Sequence, residues 1–403
     1  MNLFHKTRLL GEAAQYDTCA ACGKGPSRTK DELDRWIYPA VMPDGKTVNL
    51  LKILLSNACE NDCLYCVNRR SLDSCRTGFL PGELARLFMS LHNEGSVQGL
   101  FLSSAMSGDV ERTMTSMIET VEILRRRSLF RGYIHLKILP GASLSCVERS
   151  AHLATRISIN LEAPNRERLS RISKCKDFEG SIIGRMRWIK KLIDRGGVAP
   201  AGHTTQFVVG AADETDLEIL NTSDWLYRDF SLNRAYYSAF QPVPGTPLEN
   251  HPATPTVREH RLYQADFLLR RYGFELGEIL YDADGNLPRD RDPKLAWAMI
   301  HPERFPIEIN TASKEELLRI PGIGPRSAQR IIRGRQRGRL RDLQELKPTG
   351  AVTRRAAPFI LLNGKWQGLS PQQMSLEFEN GHPAETPQAF CRGGIYDARR
   401  RIR

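Results

Sequence analysis

The stretch VNLLKILLSNACENDCLYCVNRR, residues 48–70, holds the reading that decides the fold. Its first half, Val48 to Ser56, is a short apolar run of aliphatic and β-branched residues, the pattern of a buried strand. Cys59, Cys63 and Cys66 follow at once, at CxxxCxxC spacing. Three is an odd number for a disulfide framework and one short of a closed tetrahedral zinc site. Three thiolates can instead ligate three irons of a cubane cluster and leave the fourth iron open to a chelating ligand. A zinc knuckle, a disulfide with a spare thiol, and buried thiols are the other readings the spacing allows.

Downstream, apolar runs of strand length recur at Gly99–Ser104, Tyr133–Gly141, Arg156–Glu162, Thr204–Gly210 and Arg234–Val243. Between them lie helix-length amphipathic stretches such as PGELARLFMSLHNEG and GSIIGRMRWIKKLIDRGG. Strand and helix thus alternate through six units, which predicts an α/β fold with a parallel sheet curled as a full or partial barrel. Functional residues then belong in the loops after the strands, which is where the cysteines sit.

The chain has 403 residues, 41% hydrophobic and 26% charged, with a net charge of +12. That is a globular composition of more than one domain, and its basic excess suits a polyanionic partner. No apolar run spans a bilayer and the N-terminus lacks a signal-peptide core, so the expected location is cytoplasmic with no membrane partner. Nine cysteines in a reducing compartment are expected as metal ligands, redox groups or buried thiols.

A composition shift at DADGNLPRDRDP, residues 282–293, leads into LLRIPGIGPRSAQRII, residues 317–332, where two short apolar-periodic helices flank a Gly-rich hairpin. This resembles the helix-hairpin-helix motif, in which backbone N–H groups meet a phosphate at a helix N-terminus. Pro321, Gly322, Ile323 and Gly324 are the hairpin candidates, with Arg326, Arg330 and Arg333 beside them. From Arg326 to Arg341 there are seven arginines and no acidic residue, a footprint for a nucleic-acid backbone. Duplex DNA is the first expectation; phosphate contacts alone do not test for a 2'-OH, so RNA is the alternative.

The cysteine motif in its strand context resembles the radical S-adenosylmethionine (SAM) superfamily, and the resemblance implies a 4Fe–4S cluster whose open iron takes the amino and carboxylate groups of SAM. It also implies that Tyr65 lies against the adenine. Further stretches match the family's cofactor elements in chain order: LFLSSAMSGD offers Ser103 and Ser104 (and Ser107) to the methionine group, although the family's glycine turn is missing there. RISINLE places Ser158, Asn160 and Glu162 on alternate strand positions, suited to a ribose and an ammonium. VVGAADE resembles a GxIxGxxE element beside the adenine, with Gly210 and Glu214.

Barrel and hairpin together resemble the DNA modification or repair radical SAM proteins linked to a uracil-DNA glycosylase-like protein. This implies a radical SAM partial (β/α)6 barrel followed by a small all-α helix-hairpin-helix module. The expected organisation is an irregular N-terminal segment (1–48), a core barrel (49–281), a linker (282–305), the hairpin module (306–363) and a flexible tail (364–403). No internal repeat is evident. Implied partners are nucleic acid, a one-electron reductant such as flavodoxin or ferredoxin, and a uracil-DNA glycosylase-like protein. A DNA-binding protein with a purely structural cluster is the competing class. Against it, three of the cysteines precede the hairpin by a long stretch and only Cys391 follows it. Cys19 and Cys22 (CAAC) read as two nearby thiols without a second pair, and Cys75, Cys146, Tyr236 and Tyr237 as packing or exposed residues.

Overall fold

The computed structural model describes residues 3–14, 37–41 and 47–368. Cys19, Cys22, Cys391 and the tail beyond residue 368 lie outside the described residues. The chain divides into two compact units, the first running to residue 259 and the second from residue 260, described to residue 368.

The first unit is built on a seven-stranded sheet whose spatial order follows the sequence. Strands β1 (Ile37–Val41) and β2 (Thr47–Leu54) pair antiparallel. β3 (Gly99–Ser103), β4 (Tyr133–Lys137), β5 (Arg156–Ser158), β6 (His203–Val209) and β7 (Arg234–Ala239) then add in parallel. The six parallel strands are the six the sequence predicts, and the sheet is curled as a half-barrel. A strand buried on both faces needs helices outside it. These are α1 (Leu3–Ala14), α2 (Pro81–Asn93), α3 (Val110–Glu122), α4 (Leu144–Leu153), α5 (Arg166–Ile172), α6 (Gly184–Arg195) and α7 (Asp216–Asp229). In α2 the buried face is Leu84, Ala85, Phe88 and Leu91, one stripe of a 3.6-residue period. Several starts are specified locally: Asp109 caps α3 through Arg112 N at 2.7 Å, and Thr215 with Glu218 forms a capping box on α7.

Two expectations for this unit are corrected. Residues 1–48 are not irregular throughout, because Thr7, Leu10 and Ala14 bury one face of α1 and Lys6 Nζ reaches Glu83 Oε2 at 2.8 Å. β5 is also short, ending at Ser158 rather than Glu162.

The second unit begins within helix α8 (Thr256–Arg271). Residues 282–305, expected as a linker, contain α9 (Pro293–Ile300), which supplies Trp297 to the core. The Trp297 ring meets Phe274 and Phe305 edge to face, with centroids 5.3 and 6.2 Å apart. The hairpin module follows as β8 (Ile307–Glu308), α10 (Lys314–Arg319), α11 (Pro325–Arg335), α12 (Leu343–Leu346), α13 (Thr353–Ala356), β9 (Ile360–Leu362) and β10 (Lys365–Trp366). It is not wholly helical, since β8, β9 and β10 form a small sheet.

The module also contains a repeat that the sequence conceals. Leu318, Gly322, Ala328 and Ile331 recur 28 residues later as Leu346, Gly350, Ala356 and Phe359, with the six side-chain-bearing members all buried. Both glycines are left-handed, at φ 84° and 82°. The second hairpin is hard to read because it has one glycine where the first has two, Val352 standing in the place of Gly324.

Candidate cofactor site and nucleic-acid interface

The loop after β2 carries Cys59, Cys63 and Cys66, all free thiols. A single guanidinium organises it. Arg76 donates from Nη1 to the carbonyls of Asn57 (2.7 Å) and Asn68 (3.0 Å), and from Nη2 to those of Arg69 (2.7 Å) and Leu72 (2.8 Å). Asp62, between the first two cysteines, accepts from Ser173 Oγ at 2.8 Å and from the amides of Lys174 and Cys175. Those bonds outweigh burial and hold its carboxyl below the usual aspartate range. Amide N–H groups of Asn61 and Asn68 point at Cys59 Sγ and Cys66 Sγ, each at 3.4 Å.

The three sulfurs open on a cavity of about 620 Å³ at the carboxyl ends of the parallel strands. Of the residues expected there, Tyr65, Ser103, Ser104, Asn160 and Glu162 line it. Ser104 donates its hydroxyl to the Ala105 carbonyl at 2.7 Å. Ser158, two positions before Asn160, is engaged with His135 Nε2 at 2.9 Å and is not part of the lining. Ser107 turns to Thr113.

Gly210 and Glu214 also lie off the cavity lining. The Glu214 carboxylate accepts from the amides of Gly210 and Ala212, closing its own turn. Gly210 is left-handed, and a Cβ there would collide with Thr254. The glycine therefore serves packing within the turn.

The residue that sequence reasoning missed is Lys176. Its Nζ lies 3.1 Å from Glu162 Oε1 and 3.5 Å from the Tyr65 hydroxyl, with both partners of the ion pair nearly withdrawn from solvent. Burial would push the ammonium down, but Cys63 and Glu162 beside it more than reverse this and raise it. Nothing local marks Lys176, which sits in KCKDF beyond a helix, 14 residues from Glu162. Burial, then Glu162, keeps the Tyr65 phenol protonated.

The radical SAM superfamily profile matches residues 53–226, and a helix-hairpin-helix motif profile matches residues 304–353. The chain carries a radical SAM domain. That superfamily is one of enzymes, and its cofactors are a 4Fe–4S cluster and SAM. Among solved structures, the [FeFe]-hydrogenase maturase HydG is 13% identical at a TM-score of 0.43, over 53% of this chain and 48% of that one. HydG from Carboxydothermus hydrogenoformans is 16% identical at 0.44, over 54% and 50%. Methylornithine synthase (PylB) is 14% identical at 0.45, over 66% and 76%. The aligned region spans about half the length of the two HydG chains. A search of curated proteins gave no significant match.

The donor set of the radical SAM domain fits the cluster. Burial, then the neighbouring Cys63, pushes the Cys66 thiol up to about 12, and burial raises Cys59 as well. Crowded thiols of this kind ionise together only when a strong cation joins them. Among the described residues no three His, Cys, Asp or Glu converge on a point for one metal ion. A cubane offers a separate iron to each thiolate and does not require that convergence.

In the second unit the hairpin candidates divide by role. The side chains of Pro321 and Ile323 are buried, so they pack the hairpin and leave its backbone as the part that could face a phosphate. A Cβ on Gly322 would stand 2.5 Å from the Val352 carbonyl, so that glycine joins the two hairpins. Gly324 is the N-cap of α11 and leaves its first turn without a side-chain cap. Arg326, Arg330 and Arg333 are exposed on successive turns of α11, and none of them is in an ion pair among the described residues. Arg335 departs from the run: its Nη1 is committed to the carbonyls of Ile309 (2.9 Å) and Ala312 (2.7 Å).

Proposed function

We propose that this protein is a radical SAM enzyme acting on nucleic acid, in DNA repair or DNA modification. The observation that carries the reading is the presence, in one chain, of a three-cysteine cavity and of a hairpin followed by three exposed arginines on the helix that it starts. Bound together, the cluster and SAM supply a 5'-deoxyadenosyl radical on one-electron reduction. The chain's own residues hold and orient. Cys59, Cys63 and Cys66 ligate the cluster. Asn160 and the Glu162–Lys176 pair present an amide, a carboxylate and an ammonium to the polar groups of SAM, with Tyr65 as an apolar wall beside them.

The hairpin and Arg326, Arg330 and Arg333 would bind the phosphate backbone without reading sequence. A flavodoxin or ferredoxin suits the role of reductant in the cytoplasm, and a uracil-DNA glycosylase-like protein suits that of partner in base processing.

The deciding experiment is anaerobic reconstitution with iron and sulfide, then dithionite and SAM with or without duplex DNA, quantifying 5'-deoxyadenosine. Formation that rises with duplex DNA is expected, and its loss in Cys63→Ala while DNA binding survives. Stimulation by RNA alone would move the substrate to RNA. An intact reduced cluster that yields none would overturn the enzyme reading in favour of a structural cluster.

A further inference from the structure

Beneath the first hairpin lies a charged group that phosphate contacts at the surface do not explain. Lys294, in the first turn of α9, is buried at 6% exposure and donates from Nζ to the Ile323 carbonyl at 2.6 Å. The same ammonium stands 4.7 Å from the centre of the Tyr272 ring. Tyr272 in turn abuts Gly324, whose Cβ would lie 3.1 Å from its hydroxyl. The lysine is therefore attached to the same backbone that forms the start of α11.

Its charge has no dedicated counter-ion among the described residues. The charged groups around it are Asp292, Arg355 and Arg319, with Tyr272 neutral, burial having raised its phenol. Asp292 is already paired with Arg355, and Arg319 with Glu278 at 2.8 Å. Both nearby carboxylates are thus matched by arginines, and Lys294 is the cation left over. An isolated buried ammonium is costly, and the group responds by giving up its proton more readily. Burial does push Lys294 well below the usual lysine range.

We propose that Lys294 is a buried charge beneath the first hairpin whose ammonium form a nucleic-acid phosphate at that hairpin stabilises through space, so that binding takes up a proton. The inference rests on the nucleic-acid reading of the hairpin. The proton passes from buffer to the Lys294 amine as the phosphate arrives, no bond in the nucleic acid changes, and the hydrogen bond to Ile323 persists throughout. Lys294 is a positioning residue, acting through the hairpin backbone and its charge rather than by touching the phosphate.

The test is calorimetric titration of the full chain with a duplex oligonucleotide in buffers of different ionisation enthalpy, repeated from neutral to alkaline pH. Wild type should show net proton uptake and an affinity that falls as pH rises. Lys294→Gln keeps a donor without the charge. It should lose both features and bind about tenfold more weakly, the size of one charge–charge interaction across about 12 Å at an effective dielectric of about 20. Lys294→Met, with thermal midpoints for both variants, separates lost charge from lost folding.

Wild-type binding without proton uptake overturns the charge coupling and leaves the nucleic-acid reading standing. So does a Lys294→Gln chain that binds weakly with the wild-type pH profile, since that is the mark of a merely structural lysine. A wild-type chain that binds neither duplex nor single-stranded nucleic acid overturns both readings.

Discussion

Lys176 and Glu162 form a 3.1 Å ion pair in the wall of the cysteine cavity, and each side chain retains only about a tenth of its exposure. Breaking a buried pair from one side strands the other charge, at a cost of about 3–5 kcal/mol. Lys176→Met should therefore lower the denaturation midpoint strongly, and Lys176→Met combined with Glu162→Gln should recover much of the loss. A double variant no more stable than Lys176→Met would show that the two charges are not coupled.

Arg76 should control the cluster without touching it. Its four bonds to carbonyls flanking Cys59 and Cys66 are each worth about 1 kcal/mol, and lysine cannot reproduce the planar fork. Arg76→Lys is expected to bind less iron on reconstitution and to give an altered cluster spectrum, with nucleic-acid affinity unchanged. Full iron loading with a wild-type spectrum would refute this.

Asp62 gives the cysteine loop an acid limit. Its carboxyl is depressed in the folded chain by the Ser173 hydroxyl and the amides of Lys174 and Cys175, against the opposing effect of burial. A depressed carboxyl contributes stability that is fully present above its unfolded value near 3.9 and is lost as pH falls through the lower folded value. Acid titration followed by near-ultraviolet circular dichroism should show this loss in wild type. Asp62→Asn should be less stable at neutral pH and lack that acid-dependent part; an unchanged acid profile would count against the anchor.

Two glycines of the hairpin module should respond oppositely to alanine. Gly322 is left-handed and faces the Val352 carbonyl, so Gly322→Ala is expected to destabilise by about 2 kcal/mol or more. Gly334 lies within α11 with open space around it, and Gly334→Ala should be neutral to stabilising by up to about 1 kcal/mol. Thermal unfolding of both variants decides, and equal effects would contradict the paired-hairpin packing.

Much of the site was legible because it is local. The cysteines, Tyr65 and the PGIG hairpin each occupy one short stretch, and Ser103, Asn160 and Glu162 reach the cavity because they stand at or just beyond strand ends. Some residues stand apart from the cavity lining or the exposed arginines because another partner engages them. His135 holds Ser158, the turn amides hold Glu214, and the carbonyls of Ile309 and Ala312 hold Arg335. Residues 282–305 looked like a linker because DADGNLPRDRDP is polar, yet Trp297 just beyond it finds a core among Phe274 and Phe305.

By itself the sequence determined the alternation of strand and helix, the thiol spacing and the first hairpin, because periodicity, caps and turn residues act within a few positions. Tertiary structure alone decided which charges meet. Lys176 finds Glu162, Arg76 gathers four carbonyls, and Lys294 is left beneath Ile323 without a carboxylate of its own. Such pairings join residues separated along the chain. Their energies depend on burial and distance, which only the folded chain defines.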